Sequence, residues 1–161
     1  ETKLTCSRVP SQPENTGILA YQDDNNFIKL MLRAVTKTTR QTRGAGTAAP
    51  NGTIDLIVEE NGIAKSVASF NVTQEITGNN SLQLKLEKTG NTYTGYYAIT
   101  GGEFVKLGVA NSMLKDIKAG LIACDGVIIQ SMKNVFWFDA DTTKPNTPFD
   151  VTFDYFHITN K

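Results

Sequence analysis

The densest group of polar side chains able to hold a ligand lies in one short segment, YQDDNN, which begins at Tyr21. Its adjacent carboxylates, Asp23 and Asp24, offer the oxygen ligands that Ca²⁺ prefers, and Ca²⁺ takes about six to eight of them. Together with Gln22 and Asn26 they also offer the donors and acceptors that sugar hydroxyls need. Asp and Asn favour turns for backbone reasons as well. The segment therefore fits three interpretations: a calcium site, a sugar-binding site or a solvated turn.

A further oxygen donor, Asp154, lies in the last apolar segment of the chain. With Asp23 and Asp24 it forms the predicted set of metal ligands. No stretch has the DxDxDG spacing of an EF-hand loop. A structural Ca²⁺ is the one cofactor that the sequence suggests. The alternative is that the chain binds no metal.

Aromatic rings are the second group with binding chemistry, because the C–H faces of sugars stack on rings. Trp137 is the only Trp, and its flanking Phe residues take the opposite side of an alternating run, VFWFDAD. If those Phe side chains are buried, Trp137 faces outward as a platform; a lone Trp is also often a core residue. Tyr96 has the opposite parity to Tyr93 and Tyr97, so we expect Tyr96 on the surface and the other two in the core.

Two basic residues, Lys29 and Arg33, share the outward side of an alternating segment, NFIKLMLRA, whose other side is aliphatic. Gln83 and Lys85 likewise lie on the outward side of the segment SLQLKLEKT. On an ordinary sandwich such positions are solvated, and on a curved one they form a concave sugar-binding surface. The predicted ligand-binding residues are thus Tyr21, Gln22, Asp23, Asp24, Asn26, Lys29, Arg33, Tyr96 and Trp137.

Residues suited to catalysis are sparse. His157 is the only His, and no GxSxG turn supports a Ser-His-Asp triad around it. Retaining glycosidases need two carboxylates about 5 Å apart, yet Glu59-Glu60 adjoins a turn and Glu87 faces outward. No P-loop, GxGxxG or HExxH pattern occurs. We therefore expect a protein that is not an enzyme.

The elements that must position these residues are almost all β-strands. Apolar segments are short, alternating or β-branched, and turn residues bound each of them. Hairpins are predicted across Asn61-Gly62, the preferred type I′ pair, and across Gly90-Asn91. The helix candidate is Asn111–Lys118. The predicted strands are Glu1–Ser7, Gly17–Gln22, Asn26–Ala34, Thr53–Glu60, Ile63–Phe70, Ser81–Thr89, Thr92–Ile99, Glu103–Val109, Gly120–Cys124 and Val151–Thr159. This spacing predicts an antiparallel β-sandwich rather than a βαβ fold.

Composition bounds the class of protein. The 161 residues suit a single domain, residues 1–161, and 40% of them are hydrophobic, which is enough for a core. Sixteen basic side chains balance sixteen acidic ones, so the charge gives no reason to expect nucleic acid or a membrane as a partner. No apolar run approaches the ~20 residues that span a bilayer. The chain starts at Glu1, without Met and already in a strand pattern, so we expect a piece excised from a larger secreted protein.

The cysteines, Cys6 and Cys124, both lie in apolar, strand-like surroundings. Buried Cys behaves as a small hydrophobe, which favours two buried free thiols. A disulfide would need Cα atoms within about 7 Å of each other and stays open as an alternative. Metal ligation is not expected with one His and no CxxC.

Four segments occur along the chain in the order GILAYQDDNNFIKL, GNTYTGYYAITGGEFVKLG, AGLIAC and FDYFHI. They resemble the concanavalin A-like jelly-roll domain at the C-terminus of family 43 β-xylosidases and in related domains of bacterial secreted proteins. Phe104 stands where that group usually has a Trp, and residues 126–149 form a longer segment than is usual there. The resemblance implies a jelly-roll module attached to polysaccharide-degrading machinery, with the catalytic centre in another domain.

Three functions are compatible with these features. The first is a non-catalytic module, secreted or at the cell surface, that binds a polysaccharide of xylan, arabinan or glucan type. The second is an accessory domain that packs on the catalytic domain of a glycoside hydrolase in the same chain, with residues 126–149 as a loop lent to its active site. The third is a glycan-active enzyme that uses Asp23, Asp24 or Asp154.

Overall fold

The computed structural model describes residues 1–11, 14–35, 51–125 and 148–159. These residues form the strands β1 (Thr2–Cys6), β2 (Glu14–Asp23), β3 (Asn26–Arg33), β4 (Gly52–Glu60), β5 (Ile63–Val72), β6 (Leu82–Thr89), β7 (Thr92–Ile99), β8 (Val105–Asn111), β9 (Lys118–Asp125) and β10 (Val151–Phe156). The described part of the chain contains no helix long and apolar enough to cross a lipid bilayer.

The strands form two five-stranded sheets that pack face to face. Sheet A has the order β10-β1-β6-β7-β8, and sheet B has the order β5-β4-β3-β2-β9. Each pair of neighbouring strands runs antiparallel. The predicted antiparallel β-sandwich is confirmed.

Both predicted hairpins form where the turn residues indicated them. Asn61 and Gly62 join β4 to β5 with φ angles of 53° and 74°, and a type I′ turn needs positive φ at both positions. Gly90, which follows β6, also has a positive φ of 58°. Glycine meets no steric penalty there because it has no Cβ.

The core lies between the sheets and follows the alternation of the strands. On β3, the side chains of Ile28, Leu30 and Leu32 are at most 1% exposed. On β7, Tyr93 and Tyr97 point inward with 1% and 8% of their surface exposed, as their parity predicted. Burial of this apolar surface is the main driving force for joining the two sheets.

The predicted helix over Asn111–Lys118 is wrong, because this segment ends β8, crosses between the sheets and begins β9. Its backbone bonds to a neighbouring turn instead of to itself: the Lys115 N–H donates to the side-chain oxygen of Gln22 at 2.8 Å. Asp116 has a φ of 48°, which lies outside the range of a right-handed helix. A hydrogen bond to a residue distant in sequence therefore outweighs the local residue pattern that predicted a helix.

The two cysteines are free thiols, as predicted, and lie in opposite sheets. Cys6 on β1 is buried, with 3% of its surface exposed. Cys124 on β9 is only half-buried, and its thiol donates to the side-chain oxygen of Asn15 at 3.2 Å. The expectation of two buried thiols is right for Cys6 alone.

Candidate functional site

The segment predicted to bind a ligand forms the tight turn between β2 and β3, at one end of sheet B. One carboxylate oxygen of Asp23 accepts from the Asn25 N–H and from the Asn26 side chain, both at 2.9 Å. The other oxygen accepts from the Gln22 side chain at 2.8 Å. The bond from Asn26, followed by those from Asn25 and Gln22, lowers the pKa of Asp23. The Asp23 carboxylate thus fixes the shape of its own turn.

The same turn is bonded to two neighbouring loops. The side-chain oxygen of Asn26 accepts from the Asn61 N–H of the β4–β5 turn at 3.1 Å. The side-chain oxygen of Gln22 accepts from Lys115, in the link between β8 and β9. Gln22, Asp23 and Asn26 therefore hold three loops together, which supports the interpretation of the segment as a structural turn.

The three predicted calcium ligands are not brought together. Asp24 lies on the exposed side of the turn and accepts from the Tyr21 hydroxyl at 2.6 Å, which raises the pKa of Tyr21. Asp154 lies in β10 of the opposite sheet and pairs with Lys3 at 2.7 Å. Among the described residues, no group of three His, Cys, Asp or Glu side chains could hold a metal ion. Calcium binding at Asp23 and Asp24 stays a prediction.

Arg33 and Asp55 form an ion pair on the outward side of sheet B, between β3 and β4. Asp55 is 0% exposed although it does not face the core between the sheets. Its carboxylate accepts from Arg33, from the Thr53 hydroxyl at 2.9 Å and from the Ser66 hydroxyl at 3.0 Å. The Arg33 guanidinium, predicted to bind a ligand, is therefore bound to a buried carboxylate.

Lys29 shares this side of sheet B with apolar residues. Its ammonium lies 4.2 Å from the centroid of the Phe27 ring. Nearby, Met31 and Ile57 are 3% and 2% exposed. The centre of the outward side is thus buried, and Tyr21 and Lys29 remain half-buried near one end of it.

The outward side of sheet A carries a different set of groups. Tyr96 on β7 pairs in register with Lys85 on β6 and with Lys106 on β8. Towards the other edge, the rings of Tyr155 and His157 stack with centroids 4.6 Å apart. We call this surface the ring-and-lysine face, and its members are Gln83, Lys85, Tyr96, Phe104, Lys106, Tyr155 and His157.

Lys85 lies near two rings of the ring-and-lysine face. Its ammonium is 4.5 Å from the centroid of Tyr96 and 4.8 Å from that of Phe104. It also lies 3.4 Å from a carboxylate oxygen of Glu87. Partial desolvation raises the pKa of the Tyr96 hydroxyl, and a hydrogen bond to Glu87 makes the second-largest contribution in the same direction. The predicted outward position of Tyr96 is confirmed, and its ring is half-buried among these groups.

Several members of this face were missing from the predicted site. Lys85 and Gln83 have the outward parity that placed Tyr96 on the surface, but parity alone does not show which residues are neighbours across strands. Phe104 precedes β8, and Tyr155 belongs to β10, far away in sequence. Trp137 lies outside the described residues, so its role stays a prediction.

A second surface feature lies on the flank where edge strands β5 and β8 contact each other. Large apolar side chains are exposed near one end of this flank: Val105 by 52% and Phe70 by 40%. The Phe70 ring stacks on the ring of Tyr97, with centroids 4.7 Å apart. Val105 pairs in register with the same Tyr97, and we call Phe70 and Val105 the flank patch.

Known proteins with a similar architecture occur among the solved structures. No family model and no curated protein matches the chain. Solved structures that match include the GH43 protein BlXynB from Bacillus licheniformis, with a TM-score of 0.53 over 76% of this chain, and a mutant of it, with a TM-score of 0.56 over 78%. The chain has the fold of one part of that GH43 protein.

The identity to both structures is 19%, so the likeness establishes the fold alone. It confirms the predicted concanavalin A-like jelly-roll sandwich and the resemblance to a domain of family 43 enzymes at the level of fold. The chain spans 23% of the length of those solved chains. Its fold therefore corresponds to a minor part of the larger protein.

Proposed function

We propose that this chain is a non-catalytic domain that binds glycans in a polysaccharide-degrading system. The observation that carries the proposal is the ring-and-lysine face, where Tyr96 and Phe104 lie beside amide and ammonium groups on one side of sheet A. The likeness to one part of a GH43 protein supports the polysaccharide context. Because polysaccharides of this kind lie outside the cell, the proposal includes a secreted or cell-surface location.

The groups on this face suit a shallow glycan site. Ring faces stack on the C–H groups of sugars, and the side chains of Gln83 and Tyr155, bonded to each other at 3.0 Å, supply donors and acceptors for hydroxyls. A site open on one side gives weak binding, on the order of 10–1000 μM, or about 4–7 kcal/mol. Xylan, arabinan and glucan are the polysaccharide types that we propose first.

Several carboxylates of the described structure are already hydrogen-bonded within the chain, which favours a binding role for the domain over a catalytic one. Asp55 and Asp23 accept bonds from their own chain, as described above. Glu14 accepts from both Arg8 and Ser11, and although desolvation opposes it, these bonds lower the pKa of Glu14. Each of these carboxylates therefore has a structural task.

Affinity electrophoresis in gels that contain xylan, arabinan or β-glucan tests the proposal. We expect retention of the wild-type chain on at least one polymer and loss of retention for Tyr96→Ala. Tyr21→Ala is the matched control, because Tyr21 is also a half-buried Tyr but lies on the opposite sheet. Absence of retention on every polymer contradicts glycan binding, and loss of retention for Tyr21→Ala alone moves the site to sheet B.

The flank patch favours a second candidate function, an accessory domain that packs on a catalytic domain of a glycoside hydrolase. Val105 and Phe70 expose 52% and 40% of their surface beside Tyr97, and contiguous exposed apolar surface is typical of interaction sites. The solved GH43 chains also extend well beyond the part that this fold covers.

This second candidate is tested by placing a charge in the flank patch. In the isolated domain, Val105→Asp should change the free energy of unfolding by no more than about 0.5 kcal/mol, as expected at an exposed position. In a chain that also contains the catalytic domain, the same change should separate the thermal transitions of the two domains. Identical behaviour of both transitions with and without Val105→Asp argues against packing through this patch.

A further inference from the structure

The lysines on the outward side of sheet A differ in whether they have an ion-pair partner. Lys3 pairs with Asp154 at 2.7 Å, and on the ring-and-lysine face Lys85 lies 3.4 Å from Glu87. Lys106 is exposed and makes no ion pair within the described residues. Beside the ring that the proposed function uses for stacking, Lys106 therefore places an ammonium group without an ion-pair partner in the described part of the chain.

The two lysines nearest to that ring flank it on both sides. Lys85 and Lys106 occupy the cross-strand positions of Tyr96 on β6 and β8. Since neighbouring strands lie about 4.8 Å apart, their backbones are separated by roughly 10 Å, with Tyr96 between them. A sugar ring stacked on Tyr96 would thus lie within reach of both ammonium groups.

Lys85 is also held in place. Its ammonium lies within 5 Å of the centroids of both Tyr96 and Phe104. Contacts between a cation and ring faces restrict a side chain that is otherwise flexible. A restricted ammonium loses less conformational freedom when an anion binds beside it.

From this arrangement we propose that the ring-and-lysine face prefers an acidic glycan, one that carries uronic acid carboxylates. The sugar ring stacks on Tyr96, and its carboxylate is bound by Lys106 with Lys85 as the second donor. This inference rests on the proposed function and specifies the ligand class for the same face. The net charge of zero for the whole chain gives no general attraction for polyanions, so the preference is local.

The test compares a uronic acid-bearing polysaccharide, glucuronoxylan, with the same polymer after chemical reduction of its carboxyl groups. We expect the wild-type chain to bind the acidic form about two- to fivefold more tightly, the range that an exposed ion pair gives. This preference should shrink with added salt because exposed charges are screened. Lys106→Gln should remove most of this preference for the acidic form. Lys65→Gln, an exposed lysine of β5 in sheet B, is the matched control and should keep the preference.

Equal affinity for the two polymers overturns the preference for acidic glycans while leaving glycan binding intact. A preference that survives Lys106→Gln, or that disappears equally with Lys65→Gln, overturns the assignment to this face. Failure to bind either polymer overturns this inference, and the gels with neutral polysaccharides then decide separately whether the proposed function also fails. Equal binding of single-stranded DNA also contradicts the proposal, because it would show a site for polyanions in general.

Discussion

The Arg33 guanidinium donates to the Asp55 carboxylate across β3 and β4, on the side of sheet B that faces away from the core. The side chains of Arg33 and Asp55 are 27% and 1% exposed. In the opposite sheet, Lys3 and Asp154 form an ion pair whose side chains are 37% and 40% exposed. The chain thus contains a buried and an exposed ion pair in comparable strand positions.

We expect these two pairs to differ strongly in their contribution to stability. Asp55→Ala removes the acceptor of three bonds and leaves a partly buried guanidinium without its carboxylate, which should cost about 3–5 kcal/mol. Asp154→Ala should cost no more than about 1 kcal/mol, because exposed ion pairs contribute little. Urea unfolding of both variants measures the difference, and similar losses for the two would contradict the structural role of Asp55.

Cys6 should be protected from alkylation in the folded chain. Burial raises the pKa of the Cys6 thiol to about 12, with a smaller contribution from Glu14, so almost none of the reactive thiolate is present near neutral pH. Cys124 is half-buried and accessible in part. Mass spectrometry after treatment with iodoacetamide at pH 8 should show one modified cysteine, Cys124, in the native protein and two after unfolding. Early modification of Cys6 would contradict its buried position in β1.

The same thiol gives a dependence of stability on pH. Because its pKa is raised above the ordinary value of 9.0 to about 12 in the folded chain, the unfolded chain releases the proton first. The contribution of Cys6 is therefore complete below pH 9 and is lost as the pH rises towards 12. Chemical unfolding measures the free energy of unfolding of wild type and Cys6→Ala between pH 7 and 11. We expect the difference between the two free energies to become smaller towards pH 11.

The β-sandwich was predictable because the sequence of each strand shows by itself which of its sides is buried. The alternation of Ile28, Leu30 and Leu32 identifies a buried side of β3 without any knowledge of its partners. Asn61-Gly62 likewise fixes a hairpin from two residues. The helix predicted from residue 111 failed for the opposite reason: the Lys115 amide is bonded to Gln22, more than 90 residues away, and no local pattern contains that information.

The candidate site was less predictable, because it depends on which polar groups are already paired. The residue types of the turn at Asp23 suggested a ligand site, yet its carboxylate is bonded to three groups of its own turn. The parity of Tyr96 placed it correctly on the surface. The approach of Lys85 to both Tyr96 and Phe104 depends on the register of β6 with β7 and on the path into β8, which parity does not specify.

Removal of the Asp23 carboxylate should weaken the β2–β3 turn in a pH-dependent way. Hydrogen bonds, above all that from Asn26, lower the pKa of Asp23 in the folded chain. Its contribution is therefore present above the ordinary value of 3.8 and is lost as the pH falls through the lower folded value. The thermal midpoint of Asp23→Ala should lie below that of wild type at pH 5–7, and the two should converge towards pH 2. Asp24→Ala, which loses only the bond to Tyr21, is the control and should show a smaller difference.

Replacement of Tyr93 by Phe should not lower the stability of the domain and is expected to raise it slightly. Its side chain is 1% exposed, and within the described structure its hydroxyl has no hydrogen-bond partner. A buried polar group without a partner costs about 1–3 kcal/mol. Tyr93→Phe should therefore leave the free energy of unfolding unchanged or raise it by about 1 kcal/mol. Tyr155→Phe, which loses a bond to Gln83, should instead lower it by about 0.5–1.5 kcal/mol. If urea unfolding shows a loss for Tyr93→Phe as large as that for Tyr155→Phe, the Tyr93 hydroxyl has a partner in solution, such as a buried water molecule.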